Sequence, residues 1–129
     1  MKNKMAKYFT LCLFLVIIGM PILHAQENRV QASTKPIEYK QPDGTTTTIL
    51  LKGDENIHWA ETTDGYTLLS NPVSKGWEYG KKDCKANLVL SGKIAHNPDA
   101  RGKKELRFLK KIDKGLKFSD AQIKERVKK

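Results

Sequence analysis

Polar and apolar residues alternate in short runs between positions 36 and 100. The runs are rich in β-branched and aromatic side chains, which favour strands, and they read IEYK, TTTTILL, NIHWAET, YTLLS, WEY and NLVL. Turn residues separate them at PDG (42–44), at DG (64–65), at KG (75–76) and along a longer connection at 81–87. This order predicts successive antiparallel hairpins.

The segment IEYKQ-PDG-TTTTILL predicts the first hairpin most clearly. Its four consecutive threonines favour a strand, because branching at Cβ restricts χ1 in a helix. Strand alternation puts Thr47 and Ile49 on one face and Thr48 and Leu50 on the other. The pattern is only half amphipathic, so it does not say which face is buried.

Helical spacing replaces the strand pattern after Asn97. NPDARG predicts a connection, and KKELRFLKKI then places Leu106, Leu109 and Ile112 at helical spacing with Phe108 on the flank. Gly115 predicts the end of that helix.

A second helix is predicted for SDAQIKERVKK, where Ser119 and Gln122 have the spacing of a capping box. It is too short to be stable alone in water and needs a neighbour to pack on. The predicted fold class is therefore α+β, a small β-rich domain of successive antiparallel hairpins followed by one or two C-terminal helices.

The first 25 residues have the pattern of a secretory signal peptide. Lysines at positions 2, 4 and 7 precede a mostly apolar run at 9–23, and Ala25 provides a small residue at the expected cleavage site. The alternative is an uncleaved membrane anchor, but the run is shorter than the roughly 20 residues that a spanning helix needs. We therefore expect a secreted, periplasmic or cell-surface protein with no stable membrane insertion after cleavage.

The remaining 104 residues are enough for one small domain. We divide them into a flexible leader (26–35), a β-rich body (36–98) and a basic helical tail (99–129). Cys84 is the only cysteine left after signal cleavage, so no intramolecular disulfide is expected.

Positive charge is concentrated in the tail. Residues 101–129 carry twelve Lys or Arg against four Asp or Glu, whereas residues 26–100 carry nine against ten. Such asymmetry indicates either a solvated helical face or contact with an acidic partner, and the candidate contact residues are Arg107, Lys110, Lys111 and Arg126. Nucleic-acid binding is disfavoured, because the tail lacks interleaved aromatic residues for base stacking and the chain is expected to be exported.

The stretch GDENIHWAETTDGY (53–66) is crowded with possible metal ligands. A helical HExxH motif supplies two zinc ligands one turn apart, but His58 is followed four residues later by Thr62 and His96 by Ala100. A zinc hydrolase site built from His58, His96 and a carboxylate remains a disfavoured alternative. No catalytic residue, cofactor or metal ligand is assigned to this chain.

Turn formation and packing offer a simpler explanation of the same stretch. Asp54 with Glu55, and Asp64 with Gly65, stand at its two ends, where Asp side chains bond to nearby backbone N–H groups. The main packing aromatics are predicted to be Trp59, Tyr66, Trp77 and Tyr79.

Cys84 is a candidate ligand for zinc in a partner protein. Lys81, Lys82 and Lys85 lie close in sequence and favour the thiolate form. No histidine is near in sequence, which makes an incidental loop cysteine the favoured interpretation.

Five motifs follow one another along the chain, namely QPDGTTTTILLKGDENIHWAETTDGYTLLSN, WEYG, NLVLSG, AHNP and LKFSDAQIKERVK. Together they resemble the N-terminal propeptide region of secreted bacterial zinc metalloproteases of the immune inhibitor A type. The resemblance covers nearly all of residues 36–128, and its diagnostic residues are Asp43, Gly44, Asp54, Glu55, Trp59, Asp64, Gly65, Tyr66 and Trp77.

The resemblance implies a non-catalytic module that assists folding of a metalloprotease or maintains its latency until cleavage. The implied partner is the protease catalytic domain, in cis or in trans, and the zinc belongs to that partner. The family's HExxH motif does not occur in this chain, so protease activity is not expected. The alternative is a truncated remnant of a longer precursor with no independent activity.

Overall fold

A computed structural model describes residues 35–129 and shows a six-stranded antiparallel sheet whose strands follow one another in chain order. The strands are β1 (Ile37–Lys40), β2 (Thr46–Gly53), β3 (His58–Thr62), β4 (Thr67–Ser70), β5 (Trp77–Lys82) and β6 (Leu88–Ile94). A 3-10 helix (Pro98–Ala100) and two α-helices, α1 (Lys103–Leu109) and α2 (Asp120–Val127), follow. The predicted α+β class of successive hairpins and C-terminal helices is confirmed.

The predicted signal peptide and residues 26–34 of the leader lie outside the described residues. Within residues 35–129, no helix is long and apolar enough to span a lipid bilayer.

Two of the predicted turns contain glycines with positive φ. Gly44 (φ +87°) stands between β1 and β2, where its N–H donates to the Gln41 carbonyl at 2.9 Å. Gly65 (φ +95°) stands between β3 and β4, and its N–H donates to the Thr62 carbonyl at 3.0 Å. Glycine suits both positions because it has no Cβ to clash in the left-handed region.

The connection between β5 and β6 is shorter than predicted. Lys81 and Lys82 belong to β5, where they pair with Val89 and Leu88 of β6. The turn begins at Asp83, whose carboxylate Oδ1 accepts hydrogen bonds from the N–H groups of Lys85 (2.8 Å) and Asn87 (2.9 Å). The strand therefore continues until an aspartate can close the turn.

One face of the sheet carries the main hydrophobic core. The register aligns Ala60 of β3 with Leu68 of β4, and Leu68 with Tyr79 of β5. Ile49 of β2 joins them in a buried cluster that also contains Ala95 and Leu109. The sequence did not show which face of β2 is buried. In the structure it is the face with Thr47 and Ile49, both of which are buried.

The opposite face is covered by the segment between α1 and α2. Trp59 points to this face, because it neighbours Ala60 on β3, and its ring packs edge-on against buried Phe118 at 6.2 Å between centroids. Nearby, the Thr67 hydroxyl donates to the Leu116 carbonyl at 2.8 Å. The tail thus packs against both faces of the sheet.

Helix α1 differs from its prediction in length and orientation. It ends at Leu109, before Ile112. Leu106, predicted on the inward stripe, is 45% exposed, while Phe108 and Leu109 pack into the core. The inward stripe is Glu105, Phe108, Leu109 and Ile112, with spacing i, i+3, i+4 and i+7, and a carboxylate therefore occupies one position of a mostly apolar face.

The predicted capping box of α2 is confirmed. The Ser119 hydroxyl accepts from the Gln122 N–H at 3.2 Å, and the Ser119 N–H donates to Gln122 Oε1 at 3.1 Å. The Gln122 amide also accepts from the N–H of Leu88 and donates to its carbonyl, each at 2.9 Å. Strand β6 is thus the neighbour on which this short helix depends.

The residues that follow β1 and β6 meet at one end of the sheet. Gln41, which follows β1 and is only 2% exposed, donates to the carbonyls of Trp77 (3.0 Å) and Ala95 (2.9 Å). Its Oε1 accepts from the Trp77 N–H at 2.9 Å, and the Thr47 hydroxyl donates to the Ala95 carbonyl at 2.8 Å. These side chains supply partners to the Trp77 N–H and the Ala95 carbonyl, whereas the Trp77 carbonyl also accepts from the Ala95 N–H at 2.9 Å.

Candidate functional site

A group of charged and polar side chains connects the turns of the sheet to α1. We name it the Arg101 cluster, and it consists of Asp43, Asp64, Tyr79, His96, Arg101 and Glu105. Its members come from the β1–β2 turn, the β3–β4 turn, strand β5, the residues after β6 and the start of the tail.

Arg101 and Asp64 form an ion pair in which the arginine is the more buried partner. The two terminal guanidinium nitrogens donate to the two Asp64 carboxylate oxygens at 2.6 and 2.7 Å, which is the bidentate geometry that arginine favours. The Arg101 side chain is 4% exposed, and its guanidinium carbon lies 5.4 Å from the Tyr66 ring centroid. The Thr62 hydroxyl also donates to Asp64 Oδ1 at 2.7 Å.

The Tyr79 hydroxyl lies at the centre of the cluster. It donates to Glu105 Oε1 at 2.6 Å and accepts from Arg101 Nε at 3.2 Å. The backbone N–H of His96 also donates to it, at 3.3 Å. Tyr79 therefore links a helical carboxylate, an arginine and the end of β6 while its ring fills the core.

His96 stands between two carboxylates from distant parts of the chain. Its Nε2 lies 2.7 Å from Asp43 Oδ2, and its Nδ1 lies 2.9 Å from Glu105 Oε2. A protonated imidazolium donates to both. The turn before β2 and helix α1 are thereby joined through one ring.

The surroundings shift the proton affinities of the cluster. Burial opposes protonation of His96, but hydrogen bonds and charge from Asp43 and Glu105 outweigh it and raise the pKa. The Thr45 hydroxyl and then His96 lower the pKa of Asp43 to about 2. The Arg101 hydrogen bonds lower the pKa of Asp64 to about 2 against the effect of burial. Burial, and then Glu105, raises the Tyr79 pKa.

These pKa shifts favour the charged forms of four groups, the cations of His96 and Arg101 and the anions of Asp43 and Asp64. General acid–base catalysis calls for a group that can exchange its proton with a substrate near the working pH. In this cluster both ring nitrogens of His96 and both oxygens of Asp64 are bonded to neighbouring protein groups. The arrangement is therefore suited to holding the turns and the tail together.

The two histidines of the zinc alternative lie in different surroundings. His96 belongs to the Arg101 cluster, whereas exposed His58 lines a depression together with Leu69, Trp77 and Phe118. No group of three His, Cys, Asp or Glu side chains within residues 35–129 is arranged to hold a metal ion. Cys84 is an exposed free cysteine in the β5–β6 turn.

The GDE motif forms the tight turn after β2. Asp54 Oδ1 accepts from the N–H groups of Asn56 and Ile57, both at 2.9 Å, which confirms its predicted turn role. Gly53 has φ +95°, and a Cβ there would lie 1.9 Å from the Ile57 carbonyl oxygen. Glu55 is exposed beside this turn.

The predicted packing role of the aromatic residues is confirmed. Tyr79 is fully buried, and Tyr66 packs edge-on against it at 6.1 Å between centroids. Trp77 packs in the same way against Tyr39 at 6.3 Å. Trp59 contacts Phe118, as described above.

All four candidate partner-binding residues, Arg107, Lys110, Lys111 and Arg126, are exposed. They do not form one group, because Arg126 lies over the Phe118 ring at 4.3 Å, whereas Lys111 lines a separate groove beside Phe108 and Ile112.

Sequence reasoning missed Arg101, Glu105 and the linking role of Tyr79. Glu105 left the clearest signal, because it is the only acidic residue in 101–112 and stands three and four positions before Phe108 and Leu109. Its partners, however, are far away in the sequence, and only the folded sheet brings them near. Compared with known proteins, the chain matches no family model, no curated protein and no solved structure.

Proposed function

We propose that this chain is an exported, non-catalytic, propeptide-like module that assists the folding of a secreted zinc metalloprotease or maintains its latency. One observation supports the proposal most. Four motifs of the resemblance that lie apart in sequence each contribute one residue to the Arg101 cluster, namely Asp43 of QPDG, Asp64 of DGY, Tyr79 of WEYG and His96 of AHNP. The shared residues thus have a common role in building one module.

A module of this kind acts through its shape and surface. The diagnostic residues of the resemblance serve turns, packing and internal ion pairs, while the exposed cations of the tail remain available to a partner. A protease surface that docks here should therefore be acidic, because opposite charges across an interface favour association.

Latency has two possible mechanisms, and we favour the steric one. In the first, the body of the module covers the protease active-site cleft. In the second, the Cys84 thiolate binds the zinc of the protease. Exposed Cys84 is accessible to a partner, but none of the described contacts of the Arg101 cluster involves it.

The test uses the catalytic domain of an immune inhibitor A-type metalloprotease encoded in the same genome, produced without its own propeptide. The full chain is obtained by secretion from a bacterial host. The denatured protease domain is diluted into zinc-containing buffer with or without the full chain, and casein hydrolysis by the refolded protease is measured. We expect a higher yield of active protease, or slower hydrolysis when the chain is added to folded protease. Serum albumin at the same concentration is the control.

No effect on refolding and none on activity at micromolar chain concentrations would contradict the proposal. A remnant without function would also leave an apolar docking face exposed and be marginally stable. A sharp, cooperative unfolding transition of the secreted chain would therefore count against the remnant alternative.

A further inference from the structure

A groove separates the end of β5 from the segment that connects α1 and α2, and we name it the Phe108 groove. Its apolar residues are Phe108, Ile112 and Leu116, all of them half-buried. Exposed Lys81, Lys82 and Lys111 surround them, together with Asp113. The volume is about 310 Å³, at the lower end of the roughly 300–1,000 Å³ typical of ligand pockets.

The lysines of the groove carry charge that the described part of the chain does not pair. Among residues 35–129, none of Lys81, Lys82 and Lys111 forms a salt bridge. The Lys82 ammonium donates instead to the carbonyls of Ala86, at 3.0 Å, and of Lys117. This bonding holds one cation in a fixed place at the groove.

The wider tail does not neutralise this charge. Residues 101–129 contain twelve basic and four acidic side chains, and one of the four, Glu105, is bonded to His96 and Tyr79. The groove therefore combines an apolar floor with an excess of positive charge. A ligand that matches both properties must be acidic and must also carry an apolar group.

We propose that the Phe108 groove binds an acidic segment of a protein partner. One apolar side chain of the segment packs on Phe108, Ile112 and Leu116, and flanking carboxylates pair with the surrounding lysines. This inference rests on the proposed function only for the source of the segment, which would be the protease. It adds the contact surface and the chemistry of the partner.

A peptide fits the groove better than other polyanions do. A nucleic acid would use the lysines through its phosphates, but Phe108 is half-buried and offers little ring surface for base stacking. An anionic membrane attracts basic residues to a broad, flat surface, and the apolar residues here line a concavity. A peptide places one apolar side chain on the floor while its flanking carboxylates reach the lysines of the rim.

The experiment measures binding of a fluorescein-labelled nonapeptide, with leucine at its centre and alternating Glu and Asp on both sides, to the secreted full chain. Replacing the leucine with alanine should weaken binding about tenfold, or about 1.4 kcal/mol, because less apolar surface is buried on the floor of the groove. A double variant, Lys81→Glu with Lys111→Glu, should weaken binding of the leucine peptide by about tenfold or more.

The matched control is Lys40→Glu with Lys124→Glu, which changes the net charge equally at exposed lysines outside the groove. It should weaken binding less than threefold. Circular dichroism and a urea midpoint establish that both double variants are folded.

The proposal is overturned if the leucine and alanine peptides bind equally, or if both double variants weaken binding to the same degree. It is also overturned if a twelve-residue oligothymidylate, or vesicles of phosphatidylglycerol and phosphatidylcholine, bind more tightly than the peptide and lose binding in the groove variant. These measurements need no protease. If the peptide fails to bind but the refolding assay succeeds, the Phe108 groove is rejected as a binding site and the proposed function stands. If the peptide binds but the refolding assay fails, the groove stands and the proposed function is rejected.

Discussion

Arg101, the first basic residue of the tail, donates two hydrogen bonds to Asp64 of the β3–β4 turn, at 2.6 and 2.7 Å. The two residues are 37 positions apart in sequence. The Arg101 side chain is 4% exposed and the Asp64 side chain 29%, so removal of Asp64 leaves a poorly hydrated cation, whereas removal of Arg101 leaves a partly solvated carboxylate. A single substitution in this pair therefore tests how much the ion pair contributes to holding the tail against the sheet.

Substitution Arg101→Ala should lower the free energy of unfolding by about 3 kcal/mol, because it removes two hydrogen bonds between charged groups. Arg101→Lys keeps the charge but loses the bidentate geometry, and it should cost about 1.5–3 kcal/mol. Urea unfolding followed by circular dichroism measures both. The control, Lys103→Ala at an exposed position of the same segment, should stay within about 0.5 kcal/mol of the parent. A similar loss in all three variants would contradict a specific role for the pair.

The free energy of unfolding should be highest over an intermediate pH range and should fall on both the acidic and the alkaline side. The carboxyl pKa values of Asp43 and Asp64 are lowered from 3.8 to about 2 in the folded chain. Their contribution is present above about pH 4 and is lost as the pH falls through 2. The His96 pKa is raised above 6.5, so its contribution is present below pH 6.5 and is lost as the pH rises through the folded value.

The measurement is the urea midpoint between pH 2 and pH 9. Substitution His96→Gln should remove most of the decline on the alkaline side, whereas His58→Gln should keep it, because His58 is exposed and outside the Arg101 cluster. Equal alkaline declines in the parent and in His96→Gln would refute the assignment.

Gln122 should be more important for stability than its position on a short helix indicates. Its side chain makes three hydrogen bonds, two to the backbone of Leu88 and one to the N–H of Ser119. Gln122→Ala should cost about 2–3 kcal/mol, against about 1–2 kcal/mol for Ser119→Ala, which removes the helix cap and the hydrogen bond from the Ser119 hydroxyl to Asn87 Oδ1 at 2.6 Å. Gln122→Glu should recover little stability, since its carboxylate faces the Leu88 carbonyl.

Hydrogen exchange of the Leu88 amide provides a local measurement of the same contact. Its protection should decrease in Gln122→Ala and persist in Ser119→Ala. Unchanged protection in the Gln122 variant would show that another group bonds this amide.

Two glycines allow backbone strain to be separated from steric overlap. Gly44 and Gly53 both have positive φ, but a Cβ at position 44 meets nothing within 4 Å, whereas one at position 53 would lie 1.9 Å from the Ile57 carbonyl oxygen. Gly44→Ala should cost about 1–2 kcal/mol from conformation alone. Gly53→Ala should cost about 1–3 kcal/mol more, because the turn must shift. Thermal unfolding compares the two, and equal losses would contradict the close approach.

Substitution Cys84→Ser separates the two proposed mechanisms of latency. If the body of the module covers the protease cleft, inhibition in trans should remain within about twofold of the parent, because the exposed thiol is not part of the packed structure. Loss of inhibition by an order of magnitude or more would instead indicate that the thiolate binds the zinc of the protease. The Cys84→Ser variant must keep the parent urea midpoint for either result to be interpreted.

The hairpin order could be predicted from the sequence because the information is local. Turn residues such as Asp43, Gly44 and Asp54 satisfy backbone groups two or three positions away, and strand runs follow from side-chain branching and alternation. The capping box of Ser119 and Gln122 is equally local. The structure confirms each of these features.

The order of the strands, most of the turns and the start of α2 therefore follow from local sequence, although the β5–β6 turn begins two residues later than predicted. The packing of the folded chain turns Glu105, not Leu106, toward the sheet, and it gives Asp64 and His96 their partners in the tail and the first turn. Those contacts join residues 9 to 53 positions apart. They depend on the pairing of the strands and on the path of the tail across the sheet, and no local pattern encodes that path.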